Sequence, residues 1–500
     1  MKIEFHKELI ERIKSPLLAA WGFEGSPESS GSAEDLPPAT RKMLGELHAS
    51  GELSGRAYEC TLVHHPSGLA AERLLVVGAG KKEKFSDAQL LRLAGTATRY
   101  ARARNIHHLA WLAPKDKMTP EAVKNVVEGA ILADYDADKY RSDRDPEKRV
   151  DRFQLLKDEA EAGRAEIEAA EAGRIIAESV NFARDLVNEP SNRMTPTQLA
   201  EQAVEMARQF GLQCEVLGPD EIRALKMNAF WAVAQGSNEP PRLIVIRYAP
   251  EGAPTAPVIG LIGKGITFDT GGISIKSSQN MDEMKTDMAG GAAMLGVMRA
   301  IAQLKPRVRV LAVVPAAENM PGGRAYKPGD VITSMSGKTI EILNTDAEGR
   351  LALADAMHYA KLQGANVLID AATLTGAVTV ALGNITTGIF GRNKEWVHRV
   401  LASAAATGER MWELPVDDEY RDLYKSSIAD IANSGGRCGG AITAAMFVGE
   451  FAGETPWVHL DIAGTRWNYE EKPYLAKGPT GHPVRALVDL LTSPSKLQIH

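Results

Sequence analysis

Cysteine is nearly missing from this chain: Cys60, Cys214 and Cys438 are three residues in 500, odd in number, far apart and without C-x-x-C spacing. That excludes a disulfide framework and a thiolate zinc site, and it fits a reducing compartment. Long apolar runs are missing as well, since no stretch approaches the ~18 consecutive apolar residues of a membrane span. The opening Met1-Lys2-Ile3-Glu4-Phe5-His6-Lys7-Glu8 interleaves acids with its apolar residues and has none of the order of a signal sequence. An unprocessed, cytoplasmic protein is the expectation. Neither charge sign is in excess: 58 Lys plus Arg stand against 64 Asp plus Glu, a net charge of −6, which leaves no footprint for nucleic acid or an anionic membrane. Two catalytic signatures are absent too, the H-E-x-x-H zinc helix and the G-x-S-x-G nucleophile elbow. Ser336-Gly337-Lys338-Thr339 ends like a phosphate-binding loop, but Ile332 stands where its first glycine belongs.

What is present has an ordinary globular composition, 44% hydrophobic, and 500 residues exceed what one core normally supports. Residues 25–40 are rich in Gly, Ser, Pro and Glu and read as a loop. A strand-like run at Arg73-Leu74-Leu75-Val76-Val77-Gly78 is followed by a helical pattern from Ser86 to Arg104. A short apolar run at Leu109–Leu112 then leads to another helix near 119–133. Such alternation points to an α/β unit. Residues 134–153 are densely charged, and the Glu/Ala-rich pattern after them, ending near Asn188-Glu189-Pro190, predicts a long connecting helix. Thr195-Pro196 supplies an N-cap and first-turn proline for a helix to about Phe210. Beyond it, Leu243–Ile246, Val258–Ile262, Val308–Val314, Val367–Asp370 and Val458–Asp461 are nearly continuous apolar runs, as strands buried on both faces tend to be. The expected fold is α/β in two domains. A smaller N-terminal α/β domain (1–164) and a connecting helix (165–189) precede a larger C-terminal domain (190–500) with a mixed, mostly parallel sheet sandwiched by helices.

The densest chemistry lies in Asn344-Thr345-Asp346-Ala347-Glu348-Gly349-Arg350, ahead of an alanine-rich helix. In an extended stretch residues two apart share a face about 6.5–7 Å apart, so Asp346, Glu348 and Arg350 could enter one cavity. Alone, such a run is commonly a solvated face or an acidic first turn. Upstream, the strand at 258–262 runs into Gly263-Lys264-Gly265-Ile266-Thr267-Phe268-Asp269, leaving a lysine and an aspartate at a strand's carboxyl end, where open α/β sheets bind ligands. A turn with a solvated lysine is the plainer alternative there. Lys276 follows, then Asp287, which opens a helix of very small residues and could equally be its N-cap. The Met284, Met288, Met294 and Met298 series reads as core and pocket lining, because thioethers do not suit a carboxylate site. Asp269, Asp287, Asp346 and Glu348 gathered in one cavity would repel. Two divalent cations about 3.5–4 Å apart would resolve that repulsion.

Asn344–Leu351 resembles the signature of the cytosolic leucyl aminopeptidase family of metallopeptidases. Val258–Gly272, Met281–Lys285, Asp287–Gly290, Asp370–Gly376 and His459–Gly464 are similar to family segments in the same order. Residues 170–490 carry the likeness most strongly. The resemblance implies a two-metal enzyme that hydrolyses the N-terminal residue, leucine-like by preference, from short peptides through a metal-bridged water. It implies metal ligation by Lys264, Asp269, Asp287, Asp346 and Glu348, with Mn2+ or Zn2+ as the ions and Mg2+ as a further candidate. Lys276 would polarise the scissile carbonyl, and Arg350 would hold a bicarbonate that takes the proton from the attacking water. Met284, Thr373 and Gly376 match positions lining the pocket for the first side chain. A cytoplasmic homohexamer is implied as well.

An amine ligates only when neutral, so Lys264 must fall from its ordinary pKa of ~10.4, which an adjacent dication can cause. Arginine suits a planar anion because its fork pairs two oxygens at once. Thr270 and Thr286 stand where the family commonly has serine and an aromatic residue, and neither is an expected ligand. The alternative from another class is a DNA-binding accessory or regulatory protein of the same fold, which the acidic balance disfavours.

Overall fold

The computed structural model describes residues 1–114, 118–145, 147–157 and 162–497. Part of the charged stretch and of the Glu/Ala-rich pattern, at 146 and 158–161, lies outside the described residues. Two compact units are present: Met1–Asn181 with Tyr469–Lys477, and Phe182–Asn468 with Gly478–His500.

The first unit carries strands β1 (Lys2–His6), β2 (Leu18–Gly22), β3 (Cys60–His64), β4 (Arg73–Gly78), β5 (His108–Leu112) and β6 (Arg152–Leu156). They form one sheet in the order β1-β6-β5-β2-β4-β3, parallel except for β3. Helices α1 (Pro38–Ala49), α2 (Asp87–Arg102) and α3 (Pro120–Ala133) accompany it. The α2 start uses a capping box, Ser86 with Gln89, and α3 begins with the Thr119 hydroxyl accepting from Ala122 N. The region expected as a loop ends earlier than 40, since α1 starts at Pro38, a residue suited to a first helical turn. The long helix α4 (Arg164–Asn188) follows.

The second unit contains α5 (Pro196–Phe210), β7 (Gln213–Leu217), two short helices α6 (Pro219–Ala224) and α7 (Asn228–Ala234), β8 (Arg242–Tyr248), β9 (Val258–Gly263) and β10 (Gly265–Asp269). A 3-10 turn, Met281–Met288, leads into α8 (Ala289–Leu304), and β11 is Arg309–Asn319. Next come β12 (Val331–Thr333), β13 (Thr339–Glu341), α9 (Gly349–Leu362), β14 (Val367–Ala372), α10 (Gly376–Leu382) and β15 (Thr387–Phe390). Then come α11 (Lys394–Thr407), β16 (Met411–Glu413), β17 (Ile431–Ala432), α12 (Gly440–Ala452) and β18 (Trp457–Asp461), and after them the short strands β19 (Trp467–Asn468) and β20 (Gly478–Pro479) and the helix α13 (Val484–Thr492). The large sheet has the order β16-β15-β18-β14-β9-β11-β8-β7, with β10 also paired to β11. Its centre, β18-β14-β9-β11, is parallel, while β7, β8 and β15 join antiparallel. The mixed, mostly parallel sheet expected from the apolar runs is therefore present. Ile259, Leu261, Ile262, Leu368 and Ile369 are completely buried, which is why their runs carry no alternation.

Two further expectations change. The run expected to end at Val314 continues to Asn319: Pro315, which argues against a central strand, falls between Val313, the last residue paired with β9, and Ala316, the first paired with β10. The stretch Asp346–Arg350 is not extended. Asn344 takes the Asp346 N–H on its side chain at 2.9 Å and Glu348 already has helical backbone angles, so the chain turns and enters α9 at Gly349.

Candidate active site

The carboxyl ends of the parallel strands β9, β10, β11 and β14 supply Lys264, Asp269, Asn319 and Thr373 to one place. The Lys264 backbone is gripped from two sides, donating to Ala371 O at 3.1 Å and accepting from Gly291 N at 2.7 Å. Gly290 and Gly291 make that approach possible, since a Cβ on Gly290 would lie 2.0 Å from Ala371 O. Gly349 clears the side chain's path, because a Cβ there would meet Lys264 Cε at 2.4 Å.

The Lys264 ammonium, 3% exposed, lies 2.7 Å from both Asp287 Oδ2 and Glu348 Oε1 and donates to Thr373 O at 3.0 Å. Lys276 Nζ lies 2.9 Å from Asp269 Oδ2 and also pairs with Asp346 Oδ1. Oxygens of Asp269, Asp346 and Glu348 all come within 4.8 Å of one another. Asp287 does not cap α8, whose N-cap is Met288. Its carboxylate instead takes the Thr373 hydroxyl at 2.6 Å and faces Lys264. All four carboxylates and both lysines expected from the sequence thus lie together, and the turn into α9 delivers Asp346 and Glu348 where an extended segment was expected to.

Burial raises the carboxyl pKa values of Glu348, Asp287 and Asp346, and the Asp269 charge raises each further. Burial pulls Lys264 and Lys276 down, but the surrounding carboxylates outweigh it and hold both above the ordinary lysine value. Arg350, in the first turn of α9, donates to Asn433 O at 2.7 Å and lies over the Phe447 ring at 6.0 Å. Burial lowers it to about 10, and its Nε has no hydrogen-bond partner among the described residues.

The cluster fits divalent ions by its own chemistry. Glu348 Oε2 is buried and, among the described residues, accepts no hydrogen bond, a costly state for a carboxylate oxygen unless a cation faces it. Grouped carboxylate oxygens are the donors that Mn2+, Mg2+ and Zn2+ accept. Of the expected pocket residues, Thr373 borders the carboxylates directly. Met284 is half-buried in the turn that carries Asp287, and Gly376 is exposed at the start of α10.

Several residues escaped the sequence reading. Asn433 binds the loop before α9 through Leu343 N at 2.8 Å and Asn344 O at 2.6 Å, and nothing in its Ala-Asn-Ser surroundings signals that role. Asp461 fixes the loop after β14 by accepting from Leu374 N at 3.2 Å and the Thr375 hydroxyl at 2.6 Å. Asn319 had a usable signal, a polar residue closing a long apolar run.

The family model for the cytosol aminopeptidase family, catalytic domain, matches residues 181–488, and the one for its N-terminal domain matches residues 21–144. The chain belongs to the cytosol aminopeptidase family. It is 53% identical over 473 residues to a probable cytosol aminopeptidase of Koribacter versatilis, covering 91% of this chain and 92% of that one. With a probable cytosol aminopeptidase of Solibacter usitatus it shares 52% over 491 residues, covering 98% and 99%. Among solved structures, a lysine-to-glutamate mutant of tomato leucine aminopeptidase superposes with a TM-score of 0.87 at 31% identity, covering 98% of this chain and 96% of that one. The bottromycin maturation enzyme BotP in complex with Mn gives 0.84 at 32%, covering 96% and 99%. The chain is thus an aminopeptidase by family, its substrates are peptides, and among the described residues no helix is long and apolar enough to cross a membrane.

Proposed function

We propose that this family member is a two-metal aminopeptidase that removes the first residue, leucine-like by preference, from short peptides with a free N-terminus. The observation that carries the reading is the convergence of Asp269, Asp287, Asp346 and Glu348 around two lysines at the carboxyl ends of parallel strands. Lys264, Asp269, Asp287, Asp346 and Glu348 would hold two divalent ions, Mn2+ or Zn2+. Bound there, the ions supply Lewis-acid activation of water and of the peptide carbonyl.

The remaining work falls to side chains. Lys276 keeps its proton among the carboxylates and, partly exposed, can reach a substrate carbonyl and stabilise the negative charge that grows on its oxygen. Arg350 spends one N–H on Asn433 and keeps Nε for a planar anion. By family resemblance that anion is bicarbonate, which would accept the proton released when water attacks. The carboxylate-lined end of the site receives the substrate's amino group, which confines cleavage to the first peptide bond. Met284, Thr373 and Gly376 line the space for the first side chain. A cytoplasmic homohexamer is the assembly that accompanies this reading, to be checked by light scattering.

The test is hydrolysis of a leucyl amide by the purified chain before chelation, after it and after return of Mn2+, with bound metal measured throughout. Activity should vanish and return with the metal. Turnover indifferent to chelation would overturn the proposal.

A further inference from the structure

Behind the proposed metal ligands lies a hydrogen-bond frame that the reaction itself does not use. Asn319 ends β11 fully buried and stands in register with Asp269 across the parallel β10–β11 pair. Its amide nitrogen lies 2.8 Å from Asp269 Oδ1 and 3.0 Å from Thr345 O, so one NH2 group joins the first ligand segment to the second. The orientation of the amide is compelled, because its oxygen in that place would face a carboxylate and a carbonyl, neither of which can donate. Gly271 N donates to the same Asp269 Oδ1 at 2.9 Å. That oxygen is therefore occupied by two donors, and Oδ2 is the one that faces the cationic side, 2.9 Å from Lys276 Nζ.

The Thr345 end is held just as firmly. The Tyr326 hydroxyl donates to Thr345 O at 2.8 Å, and the Thr345 hydroxyl donates to Gly271 O at 2.6 Å while accepting from Ser274 N at 2.8 Å. Asp346 is the next residue in the chain, so whatever fixes Thr345 fixes the entry of Asp346 and Glu348. The fit around the amide is close: a Cβ on Gly272 would lie 2.9 Å from Asn319 Oδ1.

We infer that Asn319, assisted by Tyr326, is a positioning residue that locks the Asp269 carboxylate and the Asp346–Glu348 segment into one preformed oxygen set, and so determines how tightly the divalent ions bind. The inference rests on the two-metal reading above. It follows that affinity depends on the donors at position 319 and not on the size of the side chain. Asn319→Asp is isosteric but turns two donors into acceptors facing a carboxylate and a carbonyl. Asn319→Ser removes the amide donors without setting a charge against the Asp269 carboxylate, and Tyr326→Phe removes the second bond to Thr345 O.

The experiment measures Mn2+ dissociation constants of the full chain and the three variants by competition with a fluorescent chelator. Alongside it run thermal unfolding and KM and kcat for a leucyl amide at saturating Mn2+. Asn319→Asp should weaken at least one Mn2+ by about 10–100-fold, Asn319→Ser and Tyr326→Phe by less, with KM moving far less than the metal affinity. Should Asn319→Asp not fold, Asn319→Ser and Tyr326→Phe carry the same expectation at about tenfold or below. Folded variants that bind Mn2+ as tightly as the parent chain would overturn the inference and leave the two-metal reading standing. A parent chain that binds no Mn2+ would overturn both.

Discussion

The two units of this chain place parallel strands with glycines at their carboxyl ends in comparable positions, yet they use those ends differently. In the first unit, β2 ends at Gly22 and β4 at Gly78, and the chain's own loops fill the space. A Cβ on Gly22 would meet Pro27 O at 2.1 Å and one on Gly78 would meet Arg56 O at 1.9 Å. The backbone there is satisfied internally, with Ala79 N donating to Gly22 O and Glu24 N to Gly80 O, each at 2.9 Å. In the second unit, Gly263 and Gly265 flank Lys264, and the surrounding glycines make room for a charged side chain among carboxylates. A strand end in an α/β sheet is thus only an opportunity, and the loops beyond it decide whether chemistry or packing occupies it.

Substitutions can break this contrast. Removing a central carboxylate should have the largest effect: Glu348→Ala should lower kcat/KM for a leucyl amide by roughly a thousandfold or more, with bound metal falling in parallel. Lys276→Ala should cost turnover about a hundred- to a thousandfold and leave metal content unchanged, if the role proposed for it toward the substrate carbonyl holds. Loss of metal in that variant would mean that Lys276 serves the ions instead.

The glycines sharpen the comparison directly. Gly349→Ala pushes a methyl into Lys264 and should weaken Mn2+ binding by about 10–100-fold, as displaced supporting groups at metal sites do. Gly22→Ala meets backbone in the first unit and should cost about 1–3 kcal/mol of stability in denaturant unfolding, with kcat of the folded enzyme unchanged. Activity loss from Gly22→Ala at full stability would erase the distinction between the two strand ends.

The smallest expected effect is on pH. The folded carboxyl pKa values of Glu348, Asp287 and Asp346 lie above their unfolded ones, so the metal-free fold holds protons that the unfolded chain releases. Their contribution to stability is present at low pH and is lost as pH rises through the raised values. Metal competes with those protons, so the rise in melting temperature on adding Mn2+ should be larger at pH 8 than at pH 6. An equal rise at both would show that these groups do not exchange protons for metal.

Much of this was legible in the sequence. Apolar runs located the central strands because strands buried on both faces leave little ambiguity, and Lys264, Asp269, Lys276, Asp287, Asp346 and Glu348 stood out as charge where a sheet presents ligands. The conformation of the 344–350 segment was not read from the sequence: Asn344 turns the chain by a local bond to Asp346 N, and Asn433, about ninety residues away in the chain, holds the same loop through Leu343 N and Asn344 O. Asn319 carried a signal as a polar residue closing an apolar run, but Pro315 makes that run read as ending five residues early. Asp461 and Asn433 act through backbone groups of distant loops, and such partnerships leave no local spacing to read.

The most direct test of the central claim is the number of Mn2+ ions bound per chain at equilibrium, for the parent protein and for Lys264→Leu. Two ions in the parent and one in the variant are predicted, because Lys264 pairs with Asp287 and Glu348, whereas Asp269 and Asp346 pair with Lys276. Fewer than two in the parent, or two retained in the variant, would contradict the account.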